Sequence, residues 1–504
     1  MKTCLIIGGG TGGLVTGALL AKEGYQVTVL EKNILIGGGL QTFTHHGASY
    51  PSGMHVFGGF QEGGSLHKIF DYLGILDSIP LQAMDKDAFD VIRIAEDDAV
   101  YRFPTGKERF IEYLSSVFPE EKDGIKAYIN RLYEITEEGG LFYLHETNNE
   151  VLPSFSENFI RPFDELIDIY LTDPKLKGLM TYLCPLYSGK KGISPAFLGA
   201  LLSVLHINGT FQFIGGSQQI VSALKKLIEE AGGKILAGEE VVRINVEDHL
   251  VTSVVTKNGN IYHADHYISD VHPNVLLRLV DEKAFPKAFK NRINSMQDTC
   301  SFFPVFVKFK DKAFPYYNQV NYYYKTYDNA VDFAKTNQEN WPDGIIYLTP
   351  PVEHQDDYAK TLIFIVTMDY EWVRPWENTR TGNRGDSYKA WKQTMMDKVL
   401  DRMEEVHPGF RDSIEDCFAS SPLTIRDFYG NSGGSCYGFQ KDCNDVMLST
   451  LSVYTKVKNL FLTGQNVNFH GLCGVSLTAI QTAEAIVGTN TIIHKINEKA
   501  IRKE

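Results

Sequence analysis

The stretch CLIIGGGTGGLVTGALLAKEGYQVTVLEKN, residues 4 to 33, constrains this chain more than any other. Cys4 to Ile7 form an apolar run suited to a strand buried on both faces, and the chain then turns on Gly8-x-Gly10-x-x-Gly13. Each glycine has its own reason. The first permits a tight turn, the second lets backbone approach a pyrophosphate, and the third lets the next helix pack close to the strand. Gly13, Gly17 and Ala21 recur every four residues, so one helix face is small enough to lie near a sheet. The helix start offers free N–H groups and a positive dipole end to the same pyrophosphate. After Gly24, QVTVLE reads as a second strand ending at Glu31, 23 residues after Gly8. A carboxylate there accepts hydrogen bonds from ribose hydroxyls and repels a 2′-phosphate, which disfavours NADP. These residues specify a dinucleotide-binding βαβ unit and leave NAD and FAD open.

Downstream residues bear on that choice. KNILIGGGLQTFTHHGASYPSGMHVFGGF, residues 32 to 60, has no helical period where a plain NAD domain would place a crossover helix. It reads as backbone laid along a long ligand. A second strand, glycine turn and helix follow in NLFLTGQNVNFHGLCGVSLTAIQTAEAIVG at 459 to 488, with Val475, Ala479, Ala483 and Ile486 on one helical stripe. A helix starting near Gly474 would present its positive end to the anionic ring edge of a reduced flavin.

Together with GTFQFIGGSQQIVSALKKLIEEAGGKI, HADHYISDVHPNVLL and SPLTIRDFYG…GSCYGFQKD, these blocks resemble the flavin amine-oxidase-like superfamily, and within it the phytoene desaturase, carotenoid isomerase and retinol saturase group. The resemblance spans residue 4 to about 488. It implies FAD, with Gly8, Gly10, Gly12 and Gly13 at the pyrophosphate, Glu31 and Lys32 at the adenosine ribose, and the segment from Gly38, Gly39 and Leu40 beside the flavin. It also implies that VVRI at 241 to 244 meets the adenine by backbone, with Val242 as the contact, and that Gly464, Gln465, Gly474 and Val475 complete the site. Gln465 stands where many flavoproteins of this type carry an aspartate, and Tyr50-Pro51-Ser52-Gly53 departs from the usual aromatic-Asp-x-Gly.

The expected fold class is α/β. A Rossmann-like FAD-binding domain, a parallel sheet with helices, takes residues 1–66, 211–283 and 440–504. An inserted α+β substrate-binding domain with a mixed or antiparallel sheet takes 67–210 and 284–439. FFPVFVKF at 302 to 309, GIIYLTP at 344 to 350 and TLIFIVTM at 361 to 368 have strand composition, helices are expected from 107 to 205, and Asn258-Gly259 marks a hairpin turn.

A net charge of -13 excludes nucleic acid as a main partner, which needs a basic footprint. Seven cysteines without C-x-x-C spacing read as a reduced, cytoplasmic chain with no metal cage. The opening apolar run is broken as a signal peptide by Gly8, Gly9, Gly10, Gly12, Gly13 and Gly17. PAFLGALLSVLHI at 195 to 207 is shorter than the roughly 20 residues of a membrane span, so it is expected as a buried helix or as a membrane-docking one.

The chain has 30 Phe, 26 Tyr and 4 Trp, more aromatic surface than a small polar substrate needs, and the resemblance points to a polyene or isoprenoid lipid. The implied reaction is desaturation, saturation or isomerisation by hydride exchange with flavin. A lipid that must leave a bilayer implies a peripheral membrane contact. GNSGG at 430 to 434 follows no strand pattern, so no second nucleotide motif is read, and electrons are expected to pass through a diffusing carrier: NAD(P)H, a quinone or oxygen. His55 and His470 are the candidate proton donors, since histidine titrates nearest neutral pH. His45-His46 lacks partner ligands at metal spacing, and no metal is expected. A flavin amine oxidase and a non-enzymatic prenyl-lipid escort protein of the same fold are the competing readings.

Overall fold

The computed structural model describes residues 2–53, 55–147, 156–331 and 337–502. The strand Thr3–Ile7 lies at the centre of a five-stranded parallel sheet, in the order Lys234–Ala237, Gln26–Glu31, Thr3–Ile7, His266–Ser269, Leu460–Leu462. Its alternate side chains enter different cores. Cys4 and Ile6 pack with Leu14, Ala18 and Ile480 of the helices Thr11–Lys22 and Gly471–Val487, whereas Leu5 and Ile7 pack with Ile244 and Val254 of a small antiparallel sheet. A strand covered on both faces has to be apolar throughout, which is why CLII carries no alternation.

The small helix face has a measurable role. A Cβ on Gly17 would stand 3.2 Å from the side chains of Ile6 and Ile228, and one on Gly13 would collide with the Gly8 carbonyl. Helix, strand and turn therefore share a space that only glycine leaves free.

The second sheet is mixed and seven-stranded: Ile414–Ala419, Val305–Phe309, Thr361–Ile365, Gly344–Leu348, Val320–Tyr324, Asp90–Ile94, Ala99–Phe103. Neighbours are antiparallel except Val320–Tyr324 with Asp90–Ile94. The tyrosine-rich run is thus an inner strand, with Tyr322 and Tyr324 facing the helices of 107–207 and Tyr323 facing Met395 and Val399 of the helix Asp386–Val406. The two strands at 90–103 went unread in the sequence, because the acidic run Glu96-Asp97-Asp98 interrupts their pattern. Residues 148–155 of the expected helical stretch lie outside the described residues.

All strands of the parallel sheet come from 1–66, 211–283 and 440–504, and all strands of the seven-stranded sheet from 67–210 and 284–439. Two small elements tie the sheets together. The strands Phe57–Gly58, Leu81–Ala83 and Thr210–Phe213 form one sheet, and Ala48 and Tyr50 of the hairpin Thr42–His45/Ala48–Pro51 pack on Phe306 and Ile363.

The helix Ala196–Ile207 is not a membrane-docking element. It has no exposed residue, and Leu198, Leu201, Leu202 and Leu205 line an internal cavity. No single helix among the described residues is long and apolar enough to cross a membrane.

Candidate active site

Two contiguous hollows meet at the carboxyl ends of the parallel strands, where open α/β sheets bind ligands. The first, about 400 Å³, is a cleft along Gly8, Gly10 and Gly12, Glu31 and Lys32, Gly38 and Gly39, Gly464, Gln465 and Val475. The second, about 510 Å³, is lined by Gly474, His55 and His470 and by many apolar side chains. Gly38, Gly53, Tyr429, Cys436 and Tyr437 belong to both walls. The residues expected at a cofactor and those expected at the chemistry thus share one continuous space.

Backbone forms the cleft because side chains do not fit. A Cβ on Gly12 would lie 2.7 Å from the Cα of Gly464, one on Gly38 3.2 Å from the Cα of Gly10, and one on Gly53 3.4 Å from the Cα of Gly39. The helix Thr11–Lys22 starts at the Gly10 cap with no side-chain cap; the amides of Gly10 and Gly13 face the Asp270 carboxylate, and those of Thr11 and Gly12 are left to a ligand. Glu31 is buried, and its carboxylate accepts from the Gly9 amide at 2.8 Å and from the Asn33 amide at 2.8 Å. Buried polar atoms without partners line both hollows: Oδ1 of Asn466 in the cleft, Oγ of Ser52 and Nδ1 of His55 in the cavity. Backbone trough, free helix start, ribose acid and unmet polar atoms fit a long dinucleotide whose ring end reaches the cavity.

Three expected contacts stand elsewhere. Gly13 serves packing against Gly8 and does not line the cleft. Leu40 is fully buried at the end of a short turn, its carbonyl accepting from Ser217 at 2.9 Å. Val242 sits in a β-bulge between Val241 and Arg243, which turns it to solvent, and Val241 lines the cleft instead. The C-terminal helix begins at Gly471 rather than near Gly474.

Asp270 was missed. It is half-buried in the cleft wall just after the strand His266–Ser269, where a Cβ on either Gly12 or Gly464 would collide with its carboxylate. Burial pushes its pKa up to about 7, opposed by the amides of Gly13 and Gly10. A protonated carboxyl in this place can donate to a pyrophosphate oxygen. The signal was available: Asp270 directly follows the parallel strand HYIS, as Gly8 follows CLII.

A model of the family described as flavin containing amine oxidoreductase matches residues 11–487. The chain belongs to that family. It is 25% identical over 527 residues to the all-trans-retinol 13,14-reductase of Homo sapiens, covering 96% of this chain and 85% of the relative. It is 24% identical over 512 residues to prolycopene isomerase 2, chloroplastic, of an Oncidium hybrid cultivar, covering 96% and 83%. The crystal structure of an oxidoreductase from Methanosarcina mazei superposes with a TM-score of 0.66 at 16% identity, covering 96% of this chain and all of that one, a likeness of fold.

As a flavin containing amine oxidoreductase, the protein is an FAD enzyme, and the glycine cleft is a space that the dinucleotide fits. Gly430 and Asn431 of GNSGG line this cleft too, so that run shares the wall of the glycine cleft. His55 and His470 stand in the cavity at its junction with the cleft, but burial lowers the pKa of each to about 4. Both are neutral imidazoles at physiological pH, so neither carries the extra proton for which histidine was considered. His45 and His46 meet Asp416 from 370 residues away, His46 Nδ1 lying 2.8 Å from Oδ2, so a third ligand-type group does stand beside the pair.

Proposed function

We propose that this flavoenzyme oxidises, reduces or isomerises C=C bonds of a long apolar polyene or isoprenoid. The cavity carries this reading. Leu186, Leu198, Leu201, Leu202, Phe306 and Ile346 are among its walls, and no Asp, Glu, Lys or Arg lines it among the described residues. An ammonium substrate entering it would lose its water without gaining a counter-charge, whereas a hydrocarbon chain gains about 25 cal/mol per Å² of buried apolar surface. The reductase and isomerase names of the relatives point the same way.

FAD supplies two-electron hydride exchange when bound. The chain supplies the rest. Its apolar walls exclude water and align the double bond. The start of the helix Gly471–Val487 presents free amides and a positive dipole end to the junction of the hollows. Substrate enters past Leu35 and Phe428, which line the cavity yet are 55% and 47% exposed, beside Ile34 at 81%. This apolar lip is the membrane contact in the present reading, in place of the helix Ala196–Ile207. Electrons are exchanged with a diffusing carrier.

The reading is tested by incubating FAD-loaded protein with a panel of polyenes and a panel of primary amines, in both redox states. A changed polyene chromophore with no amine turnover is expected. Hydrogen peroxide release with amines, and unaltered polyenes, would overturn it.

A further inference from the structure

A cluster of metal-ligating side chains lies outside the cavity, where the hairpin Thr42–His45/Ala48–Pro51 meets Ile414–Ala419, the edge strand of the seven-stranded sheet. His46 Nδ1 stands 2.8 Å from Oδ2 of Asp416, and His45 Nε2 stands 3.8 Å from the same oxygen. One ligand atom from each of the three residues lies within 4.8 Å of the other two. Among the described residues Asp416 pairs with no Lys or Arg, and Lys308, opposite it in the ladder, is engaged by Glu415 at 2.6 Å.

Consecutive residues of a regular strand point to opposite faces, so two adjacent histidines should diverge. The hairpin turn brings them together. His45 is the last residue of its strand, and His46 and Gly47 form a two-residue turn with φ of +44° and +79°. That left-handed step carries the His46 ring back over His45, with centroids 4.0 Å apart and planes 30° from parallel. His45 in turn packs on Phe418, 4.1 Å between centroids. Phe418 lies two residues after Asp416 on the edge strand, so both face the hairpin and one packing contact aligns the imidazoles with the carboxylate. The side chains of His45, His46 and Asp416 are 39%, 69% and 30% exposed, which leaves them open to water as a further ligand.

We propose that His45 Nε2, His46 Nδ1 and a carboxylate oxygen of Asp416 bind one zinc ion, with water completing a tetrahedral set. Two imidazoles and a carboxylate suit a borderline divalent ion, whereas Mg2+ and Ca2+ take oxygen ligands. Zinc–ligand bonds of about 2.0–2.2 Å place neighbouring ligand atoms roughly 3.4 Å apart. The 3.8 Å pair is close to that spacing, and the 2.8 Å pair opens by about half an ångström as the ion replaces the hydrogen between them. Phe43 of the hairpin and Phe418 of the edge strand both line the cavity, so the ion fastens that wall from outside.

The test titrates chelator-treated, FAD-loaded protein with ZnCl2, followed by isothermal calorimetry and by melting temperature. One ion per chain is expected, with a Kd in the micromolar range and a saturable rise in melting temperature, and MgCl2 should give neither. His46→Gln and Asp416→Asn should each weaken zinc binding at least about tenfold, while FAD content and the zinc-free melting temperature report that the variants are folded. Absence of a one-to-one zinc isotherm, or parental zinc affinity in both variants, would overturn the inference.

Discussion

Oε2 of Glu31 accepts a hydrogen bond from the amide of Gly9 at 2.8 Å, so the acid at the end of the second strand clamps the turn at the end of the first. Its other oxygen holds the Asn33 amide, also at 2.8 Å, which fixes the start of the glycine segment that lines the cleft. Glu31→Ala should therefore weaken FAD binding by about 10- to 100-fold, the loss of one or two charge-assisted bonds. Glu31→Gln, which keeps an acceptor, should lose less. Titration of apoprotein with FAD, followed by flavin fluorescence, measures both.

Gly12 leaves no room for a methyl group. Its Cβ would press on the backbone of Gly464, 2.7 Å away, and on Asp270. Gly12→Ala should cost at least about 2 kcal/mol through backbone displacement and give a colourless, FAD-free protein. Absorbance of the purified variant and its melting temperature check this.

Asp270 makes the cleft sensitive to pH. Its pKa is raised from 3.8 to about 7, so the folded protein favours the protonated acid. That contribution to stability is complete below pH 3.8 and is lost as pH rises to 7, because the unfolded chain releases its proton first. FAD affinity should likewise fall as pH passes about 7, when a carboxylate appears beside the pyrophosphate. Asp270→Asn should flatten both profiles, read from melting curves and FAD titrations between pH 5 and about 9.

The lip offers a separate test. Leu35 and Phe428 expose apolar surface at the cavity mouth, and burying the exposed half of each in a bilayer is worth about 1 kcal/mol. Leu35→Ser with Phe428→Ser should reduce co-flotation with liposomes at least about tenfold while FAD content stays unchanged. Unchanged flotation would place the membrane contact elsewhere.

What the sequence showed and what it hid follow from separation along the chain. Gly8 to Glu31 was readable because strand, turn, helix and acid are neighbours in sequence, and the hydrogen bond from Gly9 to Glu31 closes within that unit. Asp270 was not, because its place beside the glycine turn is made by Ile7 pairing with Ser269, and the preceding strands had been read as local hairpins. His46 and Asp416 are 370 residues apart, and no pattern in either segment announces their meeting. The run at 195–207 has a composition that suits a membrane surface or a core alike, and only tertiary packing shows that its leucines line the cavity. Val242 was displaced by a bulge, a one-residue irregularity that strand periodicity does not forecast.

The central claim is that a flavin at the junction of cleft and cavity exchanges hydride with a polyene held between apolar walls. It is tested most directly by reducing the FAD-loaded protein anaerobically, adding polyene in substoichiometric steps and following the flavin and polyene spectra together. The account predicts changes of the polyene chromophore on enzyme, with any flavin reoxidation matched mole for mole by saturated product. A flavin that stays reduced beside unaltered polyene, yet reoxidises at once with an imine, would contradict it.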